Sequence, residues 1–120
     1  LDAEVMEYAS AVDLSFIPGI ATPSELNQAL KTGNEIIKLF PAGVLGGAKY
    51  IDAVTAPFKT RRFGLIPTGG ISESNVAEYL ASPFVIACGA SSIVDPALVD
   101  AADYDALARR IEGMKKAAGL

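Results

Sequence analysis

The chain has 120 residues, 51% of them hydrophobic and 20% charged, with a formal net charge of -4; this suits one folded core and argues against disorder. No apolar run reaches the roughly 20 residues of a membrane span, no basic-then-apolar leader opens the chain, and its basic pairs are too dispersed for a phosphate backbone, so the expectation is a cytoplasmic protein that binds neither membrane nor nucleic acid. Histidine is absent and Cys88 is the single cysteine, which excludes, within these residues, a Ser-His-Asp triad, the usual catalytic zinc sets, an internal disulfide and a thiol cluster.

The first element is a helical pattern, DAEVMEYASA (2–11). LSFIPG (14–19) follows, the first of four apolar segments of strand length that end in Pro or Gly. TPSEL then starts a helix, with Thr22 as N-cap, Pro23 at the first helical position, Glu25 placed to close a capping box and Gly33 as terminator. The second strand is EIIKLFP (35–41), and GGAKYIDAVTA behind it sets Tyr50, Ile51 and Val54 at helical spacing. FGLIPTGG (63–70) is the third strand, with Ser72 as cap of a helix through ESNVAEYLA. FVIACGA (84–90) is the fourth. A closing helix, DYDALARRIEGMKKAA, carries Leu107, Ile111 and Met114 on one stripe.

The order is therefore α(βα)₄, with strand starts roughly 20 residues apart, which implies a parallel sheet of right-handed crossovers. A small doubly wound sheet and half of a (β/α)₈ barrel both fit this order. In EIIKLFP, Ile36, Lys38 and Phe40 share one face and Ile37 and Leu39 the other. A doubly wound sheet would cover Lys38 with a helix, whereas a barrel points it into the mouth where substrates bind. The expectation is an α/β (β/α)₈ TIM barrel of which residues 1–120 supply the C-terminal half, a single partial domain with two open edges to be paired.

A lysine amine held out of water spends more time neutral, and a neutral amine attacks a ketone or aldehyde to give a Schiff base. The alternative for Lys38 is a side chain that snorkels to the rim or pairs with a carboxylate. Phe40, on the same face, would wall the amine. PTGGIS (67–72) and CGASS (88–92) end the third and fourth strands, where glycine lets successive N–H groups approach a phosphate without basic side chains; Thr68 and Ser91 add hydroxyls. Equally, Gly69 and Gly70 could serve only the turn, and Thr68 and Ser91 could serve as caps. Cys88, in its apolar run, reads as core. No carboxylate is well placed to move protons at the substrate: Glu35 lies at the far end of the lysine strand, and Glu25, Glu73 and Glu78 read as helix residues.

IKLFPAGVLGGAK, IPTGGIS and CGASS, in this order, resemble the C-terminal part of the bacterial 2-keto-3-deoxy-6-phosphogluconate aldolases, a family that also includes 4-hydroxy-2-oxoglutarate aldolases. The resemblance implies a class I aldolase, typically trimeric, that cleaves a phosphorylated keto sugar acid to pyruvate and glyceraldehyde 3-phosphate without metal or other cofactor. It implies that Lys38 is the Schiff-base lysine in a K-x-F-P-A segment, that Phe40 lines the pocket, that Thr68, Gly69 and Gly70 contact the substrate, and that Gly89, Ala90 and Ser91 form the final loop. Ala90 stands where the family has glycine and Ser92 where it has tryptophan. The family's catalytic glutamate and a substrate-binding arginine come from earlier strands. A non-catalytic phosphate-binding module and a sugar-phosphate isomerase are the other readings; neither needs an amine at position 38.

Overall fold

The computed structural model describes residues 1–120. Helix α1 (Ala3–Ala11) leads into β1 (Gly19–Ile20), α2 (Pro23–Lys31) and β2 (Ile36–Leu39), followed by two helices, α3 (Ala42–Leu45) and α4 (Ala48–Thr55). Strand β3 (Gly64–Pro67), α5 (Val76–Leu80), α6 (Pro96–Asp100) and α7 (Tyr104–Ala118) complete the chain. The strands form one parallel sheet in the order β1-β2-β3, with Lys38 opposite Gly19 on one side and Ile66 on the other.

One face of this sheet is buried and the other is bare. Ile37, Leu39 and Leu65 have no exposed surface, and they join Leu26 and Ala29 of α2, Ile51 and Val54 of α4, Val76 and Tyr79 of α5 and Met114 of α7 in one cluster. Across the strands, Ile36 is 44% exposed and Phe40 51%. Parallel sheets are normally covered on both faces; here the helices cover one. The molecule is accordingly less compact than a typical domain of its length: its radius of gyration is 15.9 Å, against about 14 Å expected for 120 residues.

The first expected strand is mostly not one. Ladder pairing covers only Gly19 and Ile20, while 14–17 is exposed. The fourth expected strand, 84–90, is also not a ladder strand. It meets β3 only at two isolated parallel bridges, Leu65 with Val85 and Thr68 with Gly89. Leu65 N–H donates to the Phe84 carbonyl at 2.7 Å and Ile86 N–H to the Leu65 carbonyl at 3.1 Å, after which the next donor due from β3 is residue 67, a proline without one. The following bond runs from Gly89 N–H to the Pro67 carbonyl at 2.9 Å. Residues 85 to 89 thus span what 65 to 68 span on β3, one residue more, as in a bulge.

The helices also depart from expectation. Ser72 is not the cap of α5: Asn75 takes that place, its side chain accepting from Ser72 N–H at 2.9 Å and donating to the Gly70 carbonyl at 2.9 Å, which holds 72–75 as a turn. Two short helices, α3 and α6, were not expected. In α7, Met114 is buried while Ile111 is 46% exposed, so the apolar stripe is covered over only part of its length.

The capping box of α2 forms as expected. Glu25 Oε2 accepts from Ala21 N–H at 2.8 Å, Thr22 N–H at 2.9 Å and the Thr22 hydroxyl at 3.0 Å, while Thr22 Oγ1 accepts from Glu25 N–H at 3.3 Å. The Ala21 N–H above all holds the Glu25 carboxyl below its ordinary value of 4.5. Because the folded value is the lower one, this stabilisation is complete above the ordinary value and is lost as pH falls through the folded value. Thr22→Ala should lower stability by about 1 kcal/mol at neutral pH, and by less in acid, where the box is already weakened. Urea midpoints at the two pH values check this.

Candidate active site

Lys38 stands on the middle strand, on the bare face. Gly19 beside it has no side chain, and a Cβ there would meet nothing within 4 Å, so the β1 flank of the lysine is open. A cleft of about 280 Å³ results, lined by Leu1, Gly19, Ile20, Ala21, Glu25, Lys38 and Phe40. The Lys38 Nζ lies over the Phe40 ring, 5.2 Å from its centroid, where the ring's negative face attracts an ammonium. The dry pocket expected around the amine is not built by these residues alone: Lys38 is half-buried and Phe40 is half exposed.

Phe40 connects the lysine to the first glycine loop. A Cβ on Gly69 would stand 3.0 Å from the ring's Cε2 and 3.4 Å from Pro41 Cα, and Gly69 and Gly70 both have positive φ, +91° and +82°. Glycine is therefore required at position 69 twice, by backbone conformation and by the ring. The Phe40-Pro41 peptide bond is cis. Beyond it the start of α3 grips the loop, Ala42 N–H donating to the Thr68 carbonyl and Gly43 N–H to the Gly69 carbonyl, each at 2.9 Å.

The second loop lies against the first. Thr68 bridges to Gly89, and a Cβ on Gly89 would fall 2.6 Å from Thr68 Oγ1, so the Thr68 side chain occupies the space that glycine vacates. The Ser92 hydroxyl donates to the Ile71 carbonyl at 2.9 Å and clamps the loops together. Gly69, Gly70 and Ile71 on one loop and Ala90, Ser91 and Ser92 on the other spend none of their N–H groups on an acceptor within the chain. Two runs of free donors side by side are suited to an anion. Ala90 has φ -124° and packs against the core, so its methyl is tolerated without backbone strain.

The structure thus brings Thr68, Gly69 and Gly70 together with Gly89, Ala90 and Ser91, and joins Phe40 to both Lys38 and Gly69. Glu25 was missed as a neighbour of the lysine cleft. Its Thr-x-x-Glu spacing marked it as a cap, and the fact that this cap sits at the C-terminal end of β1, next to the lysine strand, was the signal available. With three donors on one oxygen it is a fixed anion rather than a proton carrier. Burial pushes the Cys88 thiol up, which suits a core residue and not a nucleophile.

A sequence model of the family described as KDPG and KHG aldolase matches residues 1–110. A 2-dehydro-3-deoxy-phosphogluconate aldolase of Treponema pallidum is 44% identical over 88 residues, 73% of this chain and 41% of that protein. The KHG/KDPG aldolase of Escherichia coli K12 is 37% identical over 119 residues, 96% of this chain and 55% of that protein. Among solved structures, the KDPG aldolase of Legionella pneumophila, described with pyruvate captured at low pH as a covalent carbinolamine intermediate, superposes with a TM-score of 0.84 at 30% identity, over 92% of this chain and 52% of that one. The chain spans about half the length of the curated relatives it matches.

Proposed function

This chain belongs to the KDPG and KHG aldolase family, and on that premise we propose that it carries the amine and phosphate part of a class I aldolase site on half of a (β/α)₈ barrel. The observation that carries the reading is Lys38 on the bare sheet face, stacked on the Phe40 ring that also touches the Gly69 loop. The Lys38 amine adds to the C2 carbonyl of a 2-keto acid, and the resulting carbinolamine takes up a proton and loses water to give a protonated imine. Its electron demand allows the C3–C4 bond to break: the C4 hydroxyl gives its proton to a base, C4 leaves as an aldehyde, and the bonding pair becomes the enamine of pyruvate. Protonation at C3 and hydrolysis release pyruvate and return the lysine.

In this reading Thr68 holds the pyruvyl end, and the free N–H groups at Gly69, Gly70, Ala90 and Ser91 hold the phosphate of 2-keto-3-deoxy-6-phosphogluconate, whose other product is glyceraldehyde 3-phosphate. The base that accepts the C4 proton is a carboxylate from outside these residues, because Glu25 is committed to its cap. The same absent residues would pair the β1 edge and the edge at 84–90, and a homotrimer is the proposed assembly.

Incubation with pyruvate and borohydride, followed by peptide mapping, is expected to give one reduced adduct, on Lys38. No adduct, or one on another lysine, removes Lys38 as nucleophile. The 120-residue chain alone should form the adduct yet cleave the keto acid phosphate poorly; full turnover by it would refute an external base. A phosphate-binding module without chemistry, the second reading, is favoured by the half-exposed state of Lys38 and predicts phosphate binding with no adduct.

A further inference from the structure

Behind the lysine strand, Gly46 and Gly47 separate α3 from α4, and both have positive φ, +122° and +68°. The turn closes on itself, Gly46 N–H donating to the Gly43 carbonyl at 3.2 Å and Gly47 N–H to the Ala42 carbonyl at 3.0 Å. No side chain caps α4, and the N–H groups of Ala48 and Lys49 find no acceptor in the chain. They open into a cleft of about 460 Å³ whose walls include Gly47, Lys49, Asn75, Glu78 and Tyr79.

Tyr79 points to what fills it. The residue is 2% exposed, yet its hydroxyl makes no hydrogen bond to the rest of the chain; Tyr50, by contrast, donates to the Ala21 carbonyl at 2.7 Å. The Tyr79 hydroxyl lies 3.5 Å from where a Cβ on Gly47 would be, so it is aimed at the first turn of α4, in space left by the missing side chain. The ring is buried while the hydroxyl reaches the cleft, so its hydrogen bond is left to a ligand or water there. Burial holds its phenol above the ordinary value, so it is a donor. Asn75 is already committed on both atoms to the Gly70–Ser72 turn, and Lys49 makes no ion pair.

We propose that the N-terminus of α4, together with the Tyr79 hydroxyl and the Lys49 ammonium, is a binding site for a small oxyanion of phosphate size, separate from the Gly69 and Ala90 loops. The donors that line the cleft, two helical N–H groups, a phenol and the ammonium of the exposed Lys49, lack an acceptor in the chain, and the helix dipole has the sign for an anion. Glu78 on the rim is the one carboxylate lining the cleft, and it limits affinity. The site does not depend on the chemistry of Lys38.

The test is a titration of ¹⁵N-labelled protein with inorganic phosphate at constant ionic strength, balanced with chloride. Saturable shifts of the Ala48 and Lys49 amides are expected, with Kd raised about tenfold in Tyr79→Phe, which loses one hydrogen bond to a charged group, raised also in Lys49→Gln, and lowered in Glu78→Gln. The same spectra report whether each variant stays folded. A non-saturating drift, saturable shifts confined to Gly69, Gly70, Ala90 and Ser91, or an unchanged Kd in folded Tyr79→Phe and Lys49→Gln would overturn the proposal; the second of these would leave the aldolase reading standing.

Discussion

Lys38→Met is expected to abolish the borohydride-trapped pyruvate adduct while shifting unfolding free energy by no more than about 0.5 kcal/mol. Methionine keeps the length and apolar stem of lysine and removes only the ammonium. That ammonium is half-buried, makes no ion pair and rests on a ring that is itself half exposed, so little stability is tied to it. In an assembly that turns over, the loss of the nucleophile should cost on the order of 10⁴-fold or more in rate. The two readouts separate chemistry from folding: a stable variant that still traps pyruvate assigns the imine to another amine, and an unfolded one shows that Lys38 holds the sheet together.

The adjacent residue should behave in the opposite way. Leu39→Ala removes a side chain with no exposed surface from the covered face, between α2, α4 and the strands, and should cost about 2–5 kcal/mol through lost burial and the cavity left behind. A domain of this length has only about 6–18 kcal/mol in hand, and one with a single covered face lies at the lower end. Denaturant midpoints would show a large fall for Leu39→Ala beside an unmoved Lys38→Met. A cost below about 1 kcal/mol would mean that the face opposite the lysine is not the one that stabilises the fold.

That contrast was legible in EIIKLFP, because period-two alternation says which residues share a face whatever the tertiary setting. The α2 capping box was equally legible, since it needs only Thr22, Pro23 and Glu25 and no distant partner. Asp95 and Pro96 carry the same kind of signal, Asp95 capping α6 at the Ala97 N–H. Misreadings arose where one atom outside the segment decided the outcome. FVIACGA has the composition of a strand, but the donor it needs falls at residue 67, a proline that has none; ESNVAEYLA has the pattern of a helix, but Asn75 ties its first residues back to Gly70. The stripe of α7 reads as buried because pattern cannot say how much partner surface is present. At the site, the meeting of the two glycine loops follows from β3 and segment 84–90 running parallel and adjacent, although only β3 is a ladder strand. For Glu25 the sequence signals only a cap at the end of β1; that it shares a cleft with Lys38 depends also on the register of β1 and β2.

The gap at Pro67 has a consequence for motion. Gly69 and Gly70 are anchored on one side by β2 and α3, whereas 84–90 is tied to β3 by three backbone bonds, those of Leu65, Ile86 and Gly89. Amides held by so few bonds at a sheet edge exchange with solvent through small local openings, ahead of global unfolding. The half of the site that would grip phosphate through Ala90 and Ser91 can therefore breathe while the lysine strand stays closed.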